Sequence, residues 1–94
     1  MIYETDSFVA QTGNFLSSQL GDEMILMDLS TGDYINLNPV GADIWRKMQF
    51  GKVSAAEIIQ YLMEEYDVER TICVLDTFKC LEEMAEKRLI KKVT

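Results

Sequence analysis

The stretch Gly-Asp-Tyr-Ile-Asn-Leu-Asn-Pro-Val-Gly-Ala-Asp-Ile-Trp at residues 32–45 decides the fold, because it passes from a short strand into a helix with almost no loop. Asn38 supplies an N-cap oxygen for the first helical turn. Pro39 fits the first helical position, where its missing N–H has no intrahelical partner to lose. The junction therefore places the edge of a sheet beside the helices that follow.

Strand signals precede this junction. Runs of strand-forming residues bounded by turn residues predict three short strands, at Phe15–Leu20, residues 24–29 and Tyr34–Leu37. Ser30, Thr31 and Gly32 close the last two into a hairpin. Residues 8–12 offer a further pairing with the first strand through the Gly13-Asn14 turn.

Helix signals follow the junction. Three helices are predicted: one over about residues 39–50, one that opens at Ser54, and one over about residues 69–87. Ser54 and Glu57 form a capping box at the start of the second helix. At about 100° per residue, the apolar positions of the third helix divide into a main arc and a neighbouring flank. The main arc holds Cys73, Thr77, Cys80, Leu81 and Met84, and the flank holds Val74, Phe78 and Ala85.

The composition predicts one domain that spans residues 1–94, with residues 1–7 as a loose N-terminal arm. Ninety-four residues at 48% hydrophobic content suffice for one small core and not for two. The chain has no run of about 18 apolar residues and no secretory leader pattern. We therefore expect a cytoplasmic protein that does not interact with membranes.

The charged and reactive residues argue against several functions. A net charge of −7 opposes binding to nucleic acid, which depends on Lys and Arg. The chain has no histidine, the commonest acid–base group and metal ligand, so we expect no metal, no cofactor and no catalytic residues. Cys73 and Cys80 lie about 10 Å apart along one helix, too far for a disulfide, and are expected to be small core residues.

Three strands followed by three helices predict an α+β domain of the winged helix-turn-helix-like kind, with a three-stranded antiparallel sheet. Such a sheet has open edges, and an open edge can bind an extended peptide as an added strand. If residues 34–37 form such an edge, the flank with Val74 and Phe78 is expected to form one wall of a groove above it. The simpler interpretation is that this flank belongs to the core and the edge binds nothing.

This arrangement resembles the PqqD-like family, also called RiPP recognition elements. The resemblance runs from about residue 15 to residue 93. It is carried by the Leu37-Asn38 pair that ends the third strand and by the Glu57-Ile58 pair of the second helix. Further matches are Trp45, Asp76, Leu81, Met84, Leu89 and Ile90.

This chain also departs from the family pattern at three positions. Cys80 and Thr77 replace larger apolar residues, which predicts a slimmer core side of the third helix. Arg88 stands where glycine is common, which leaves the end of that helix open.

The resemblance implies a non-catalytic protein that holds the leader segment of a ribosomally made precursor peptide. A separate maturation enzyme, such as a protease, cyclase or radical enzyme, would then act on the rest of the precursor. Lasso-peptide biosynthesis is one pathway that uses such modules. The residues expected to bind the peptide are Asp33, Tyr34, Ile35, Asn36, Leu37, Val74, Phe78 and Lys79.

Two other functions compete with peptide binding. The fold permits a transcriptional regulator, although Glu82, Glu83 and Glu86 on the third helix would repel DNA phosphates. A small thiol enzyme is the other, but its cysteine would have no histidine as base.

Overall fold

The computed structural model of the chain describes residues 2–93, which form two small antiparallel sheets and three helices. The strands and helices follow one another as β1 (Ser7–Ala10), β2 (Phe15–Leu20), β3 (Glu23–Asp28), β4 (Tyr34–Leu37), α1 (Pro39–Met48), β5 (Val53–Ser54), α2 (Ala55–Glu65), α3 (Arg70–Glu86) and β6 (Ile90–Lys92). The α+β class and the three-strand, three-helix order expected from the sequence are confirmed. None of the described helices is long and apolar enough to span a membrane.

Strands β2, β3 and β4 form the larger sheet, with β3 in the centre. Phe15 faces Asp28 across the first pair, and Leu26 faces Ile35 across the second. The chain reverses direction at two glycines with positive φ, Gly21 (63°) and Gly32 (78°). Other residues adopt such φ values only with strain.

The second sheet was not predicted from the sequence. Strand β1 lies in its centre, with Phe8 paired to Val53 of β5 on one side and to Lys92 of β6 on the other. Residues 8–12 therefore do not pair with β2 through the Gly13-Asn14 turn. Phe8 is buried, and this burial ties the start of the domain to its end.

The described part of the N-terminal segment is packed, where a loose arm was expected. Ile2 is buried, and Glu4 forms a 2.9 Å ion pair with Arg70 of α3. Asp6 accepts a hydrogen bond of 2.8 Å from the Tyr3 backbone N–H and lies 3.1 Å from the Lys92 ammonium. These two neighbours hold the pKa of the Asp6 carboxyl below its ordinary value of 3.8, against the opposing effect of burial. Met1 lies outside the described residues.

The predicted helix caps are present. Asn38 accepts a hydrogen bond of 2.8 Å from the Gly41 N–H, and Ser54 and Glu57 exchange the two bonds of a capping box. Helix α1 ends at Met48, two residues before the expected end, which leaves Phe50 93% exposed in the following loop.

The backbone at the end of α3 shows why glycine is common at position 88, where this chain has Arg88. Arg88 adopts a φ of 63°, the left-handed conformation that favours glycine. Its N–H donates to the Ala85 carbonyl at 3.0 Å, and the Leu89 N–H donates to the Met84 carbonyl at 2.9 Å. This pair of bonds is a Schellman motif, and it turns the chain sharply so that the buried Leu89 leads into β6.

The core lies between the larger sheet and the helices. Trp45 is buried and meets the edge of the Phe15 ring, with ring centres 6.2 Å apart. Cys73 is buried and Cys80 is half-buried, and both are free thiols. The expectation that both cysteines are core residues agrees with the position of Cys73, whereas Cys80 is only partly buried.

Candidate functional site

Strand β4 is an edge of the larger sheet, because β3 is its only strand neighbour among the described residues. The Asp28 N–H donates to the Asp33 carbonyl at 2.8 Å, which fixes the alternation of hydrogen-bonded pairs in this antiparallel ladder. In the observed register, Ile35 and Leu37 then direct their backbone groups at β3. The backbone groups of Tyr34 and Asn36 point away from the sheet, available to an added strand.

The side chains of β4 alternate in the same register. Ile35 is half-buried and Leu37 is buried on the helix side of the sheet. Tyr34, which is 71% exposed, and Asn36 lie on the outer side. Asp33 precedes the strand, and its N–H is bound to the Thr31 hydroxyl at 3.2 Å. An added strand would thus meet an apolar side toward α3 and an open side toward solvent.

Helix α3 lies across from this edge and leaves a cavity of about 90 Å³. The lining residues are Ile35, Asn36, Leu37, Asn38, Cys80, Glu83, Met84, Lys87 and Leu89. We call the space between β4 and these α3 residues the β4–α3 groove.

Two further cavities extend the β4–α3 groove past the start of α1. One, of about 320 Å³, lies beside Asn38, Val40, Lys79 and Cys80. The other, of about 140 Å³, is mostly apolar and reaches between α1, α2 and α3. Its lining residues are Val40, Ile44, Leu62, Tyr66, Val68, Cys73, Asp76, Thr77 and Cys80. Cys80 contributes to all three cavities and marks the middle of this path.

The cavity of about 140 Å³ contains polar groups of two kinds. The Thr77 hydroxyl is buried and has no hydrogen-bond partner among the described residues. The Tyr66 hydroxyl instead donates to the Asp43 carboxylate at 2.7 Å. This hydrogen bond, followed by burial, raises the pKa of Tyr66 to about 12, so its hydroxyl stays a donor at neutral pH. Thr77 thus contributes a buried hydroxyl without a partner among the described residues to the lining of this cavity, whereas the Tyr66 hydroxyl is already bound.

The groups along this path are suited to binding more than to chemistry. Burial, followed by the nearby Glu83, raises the pKa of the Cys80 thiol, which keeps it protonated and weakly nucleophilic. Lys79, Lys87, Asp76 and Glu83 place two charges of each sign along the rim. Residues 2–93 contain no cluster of three His, Cys, Asp or Glu side chains that could hold a metal ion.

The structure brings together part of the predicted site. Residues 33–37 form and precede the open edge, and Lys79 lies on the groove side of α3. Val74 and Phe78 lie elsewhere: at about 100° per residue they are turned about 120° and 160° from Cys80. Both are half-buried against the core. The α3 wall of the groove is thus formed by Cys80, Glu83 and Lys87, which were not among the predicted site residues.

One signal for this other wall was present in the sequence. Cys80 and Thr77 are smaller than the residues usual at their positions, and both line the cavity of about 140 Å³. The rotation of α3 about its own axis, which turns Cys80 toward β4, could be seen only in the structure.

Comparisons with known proteins find a matching family and two similar folds. A family model described as coenzyme PQQ synthesis protein D (PqqD) matches residues 23–90. The fold is similar to TbiB1 in complex with the TbiA(beta) leader peptide, with a TM-score of 0.77 and 30% sequence identity, covering 88% of this chain and 95% of that one. It is also similar to lasso peptide synthetase B1 complexed with the leader peptide, with a TM-score of 0.75 and 28% identity, covering 89% and 96%. No curated protein sequence matches the chain.

Proposed function

The chain belongs to the PqqD family, and on that premise we propose that it binds the leader segment of a ribosomally made precursor peptide by strand addition at β4. The observation that carries this proposal is the open edge of β4, where the backbone groups of Tyr34 and Asn36 point outward beside an apolar groove. The two similar proteins of known structure are leader-peptide complexes, and both are similar over nearly their whole length. We infer from them that the precursor is of the lasso-peptide type.

Backbone hydrogen bonds and side-chain pockets have separate tasks in this binding mode. The outward N–H and C=O groups of β4 hold any extended peptide and give affinity without selecting a sequence. Selection comes from the β4–α3 groove and from the deeper cavity beside Thr77, which fits an apolar side chain of the leader.

The protein itself is proposed to be non-catalytic. Cys73 is buried, burial raises the pKa of the Cys80 thiol, and the chain has no histidine to serve as base. A separate maturation enzyme then modifies or cleaves the precursor, and holding the leader raises the local concentration of the rest of the peptide for that enzyme. We place this activity in the cytoplasm, because ribosomes make the precursor there.

A direct titration tests this proposal. A fluorescently labelled synthetic leader from the same gene cluster is expected to bind with a micromolar or lower Kd by fluorescence polarisation. The same chain is expected not to bind duplex DNA at physiological salt, because the exposed Glu82, Glu83 and Glu86 repel phosphates. DNA binding without leader binding would overturn the proposal in favour of a regulator.

A further inference from the structure

The outer face of the larger sheet has an unusual composition. In the observed register, eight side chains of β2, β3 and β4 share this face: Leu16, Ser18, Leu20, Glu23, Ile25, Met27, Tyr34 and Asn36. Only one of them is charged, although 27% of the residues of the chain are charged. An antiparallel sheet with one side in water usually carries polar residues on that side. The composition of this face therefore indicates that something covers it.

The apolar residues of this face form a continuous row. Leu16, Met27 and Tyr34 are direct neighbours across the three strands. Leu16 is 57% exposed and Tyr34 is 71% exposed. Other exposed apolar side chains, such as Phe50 and Leu75, lie on loops or helices away from this row. A contiguous apolar row of this kind is typical of a protein contact surface.

The charge around this face shows which partner it fits. Residues 1–45, which include the whole larger sheet, contain seven Asp or Glu and neither Lys nor Arg. The remaining residues carry nine acidic and nine basic groups, so the net charge of −7 resides in this first segment. Asp22 and Glu23 lie at one end of the sheet, and Asp28 and Asp33 lie at the other. A complementary surface is apolar in its centre and basic at its rim.

We propose that the outer face of the β2–β3–β4 sheet docks the separate maturation enzyme through an apolar patch bordered by Lys or Arg. This inference rests on the proposed function, because it takes the partner to be the enzyme that processes the held peptide. The face is continuous with the β4 edge, so an enzyme seated on it lies directly beside an added leader strand. A second copy of this chain is a poor occupant, because a symmetric contact would bring the two acidic rims together.

The test uses the purified precursor-processing enzyme encoded beside this chain, with the immobilised full chain and no leader present. The double variant Leu16→Thr with Met27→Thr removes two of the three apolar side chains of the row and keeps strand propensity on an outward face. We expect its affinity for the enzyme, measured by biolayer interferometry, to fall at least about tenfold. Glu23→Lys is expected to slow association and weaken its salt dependence. The matched control is Leu75→Gln, which removes a 63% exposed leucine from α3 and is expected to bind like wild type.

Labelled leader binding to every variant, by fluorescence polarisation, separates this inference from the proposed function. We expect the double variant to bind leader like wild type, which supports a separate docking face. The inference would be overturned if the double variant bound the enzyme as tightly as the wild-type chain does, or if the wild-type chain did not bind the enzyme at all. Leader binding would stay intact in either case. Loss of leader binding in the double variant would assign the face to the peptide. A wild-type dimer that the double variant dissociates, seen by analytical ultracentrifugation, would assign the face to a second copy.

Discussion

A proline at Asn36 is expected to weaken leader binding and leave the fold in place. The Asn36 N–H points away from β3, so proline there breaks no bond of the sheet, and edge strands tolerate proline at such positions. The lost bond to the leader is worth about 0.5–1.5 kcal/mol, which lowers affinity roughly 2- to 13-fold. The proline ring adds to this loss because it occupies space that the added strand needs. The assay is fluorescence polarisation of a labelled leader, with circular dichroism to confirm folding.

Two further prolines make this test specific. Ser17→Pro is the matched control, because the Ser17 N–H points outward from the opposite edge strand β2, and leader binding is expected to stay unchanged. Ile35→Pro is expected to destabilise the sheet, since the Ile35 backbone is directed at β3. If folded Asn36→Pro binds leader as tightly as wild type, or if Ser17→Pro weakens binding equally, the assignment of the β4 edge is refuted.

Three stability predictions follow from local structure. Thr77→Val removes a buried, unpartnered hydroxyl and is expected to stabilise the fold by about 1 kcal/mol, seen as a rise in Tm of about 4–8 °C; a lower Tm would show that the hydroxyl is satisfied. Arg88→Gly removes the strain of a left-handed non-glycine residue and is expected to raise the free energy of unfolding, measured in urea, by about 0.5–1 kcal/mol. Arg88→Ala keeps the strain and is not expected to raise it. Asp6 has a lowered pKa, so its charge stabilises the fold fully above pH 3.8, and this contribution is lost as the pH falls through the folded pKa. Asp6→Asn is therefore expected to be less stable than wild type at pH 7 and equally stable at the acidic end of a pH series; a gap that persists there would contradict this.

The sequence predicted the larger sheet and the helices well because their signals are local. The bounds of β2 and β4 agree with the prediction, and the capping residues Asn38 and Ser54 begin α1 and α2 as expected. Such turn and cap signals act within a few residues, so they can be recognised without knowledge of the rest of the fold.

The second sheet could not be predicted for the opposite reason. Strands β5 and β6 contain two and three residues, too few to show a period of two. They exist because β1 pairs with both, and those pairings join residues 7–10 to residues 53–54 and 90–92. Contacts over such sequence distances follow from the packing of the whole domain. The burial of Ile2 depends on the same packing.

The candidate site was predicted in part. The open edge at β4 followed from the order of strands and from the short junction to α1. Which residues form the α3 wall of the groove depends on the rotation of α3 about its own axis. The main arc and the flank are both apolar, so the sequence did not show which of them faces β4. The structure turns Cys80 and Glu83 toward β4 and leaves Val74 and Phe78 on the other flank. The outward direction of the Tyr34 and Asn36 backbone groups likewise required the register of the hydrogen bonds.

Amide hydrogen exchange measured residue by residue by NMR, with and without saturating leader peptide, tests strand addition at β4 most directly. In the free protein we expect the Tyr34 and Asn36 amides to exchange fast and the Ile35 and Leu37 amides to exchange slowly, because only the latter pair is directed at β3. Leader binding is expected to slow exchange at Tyr34 and Asn36. Unchanged fast exchange at both residues in the saturated complex would contradict strand addition at this edge.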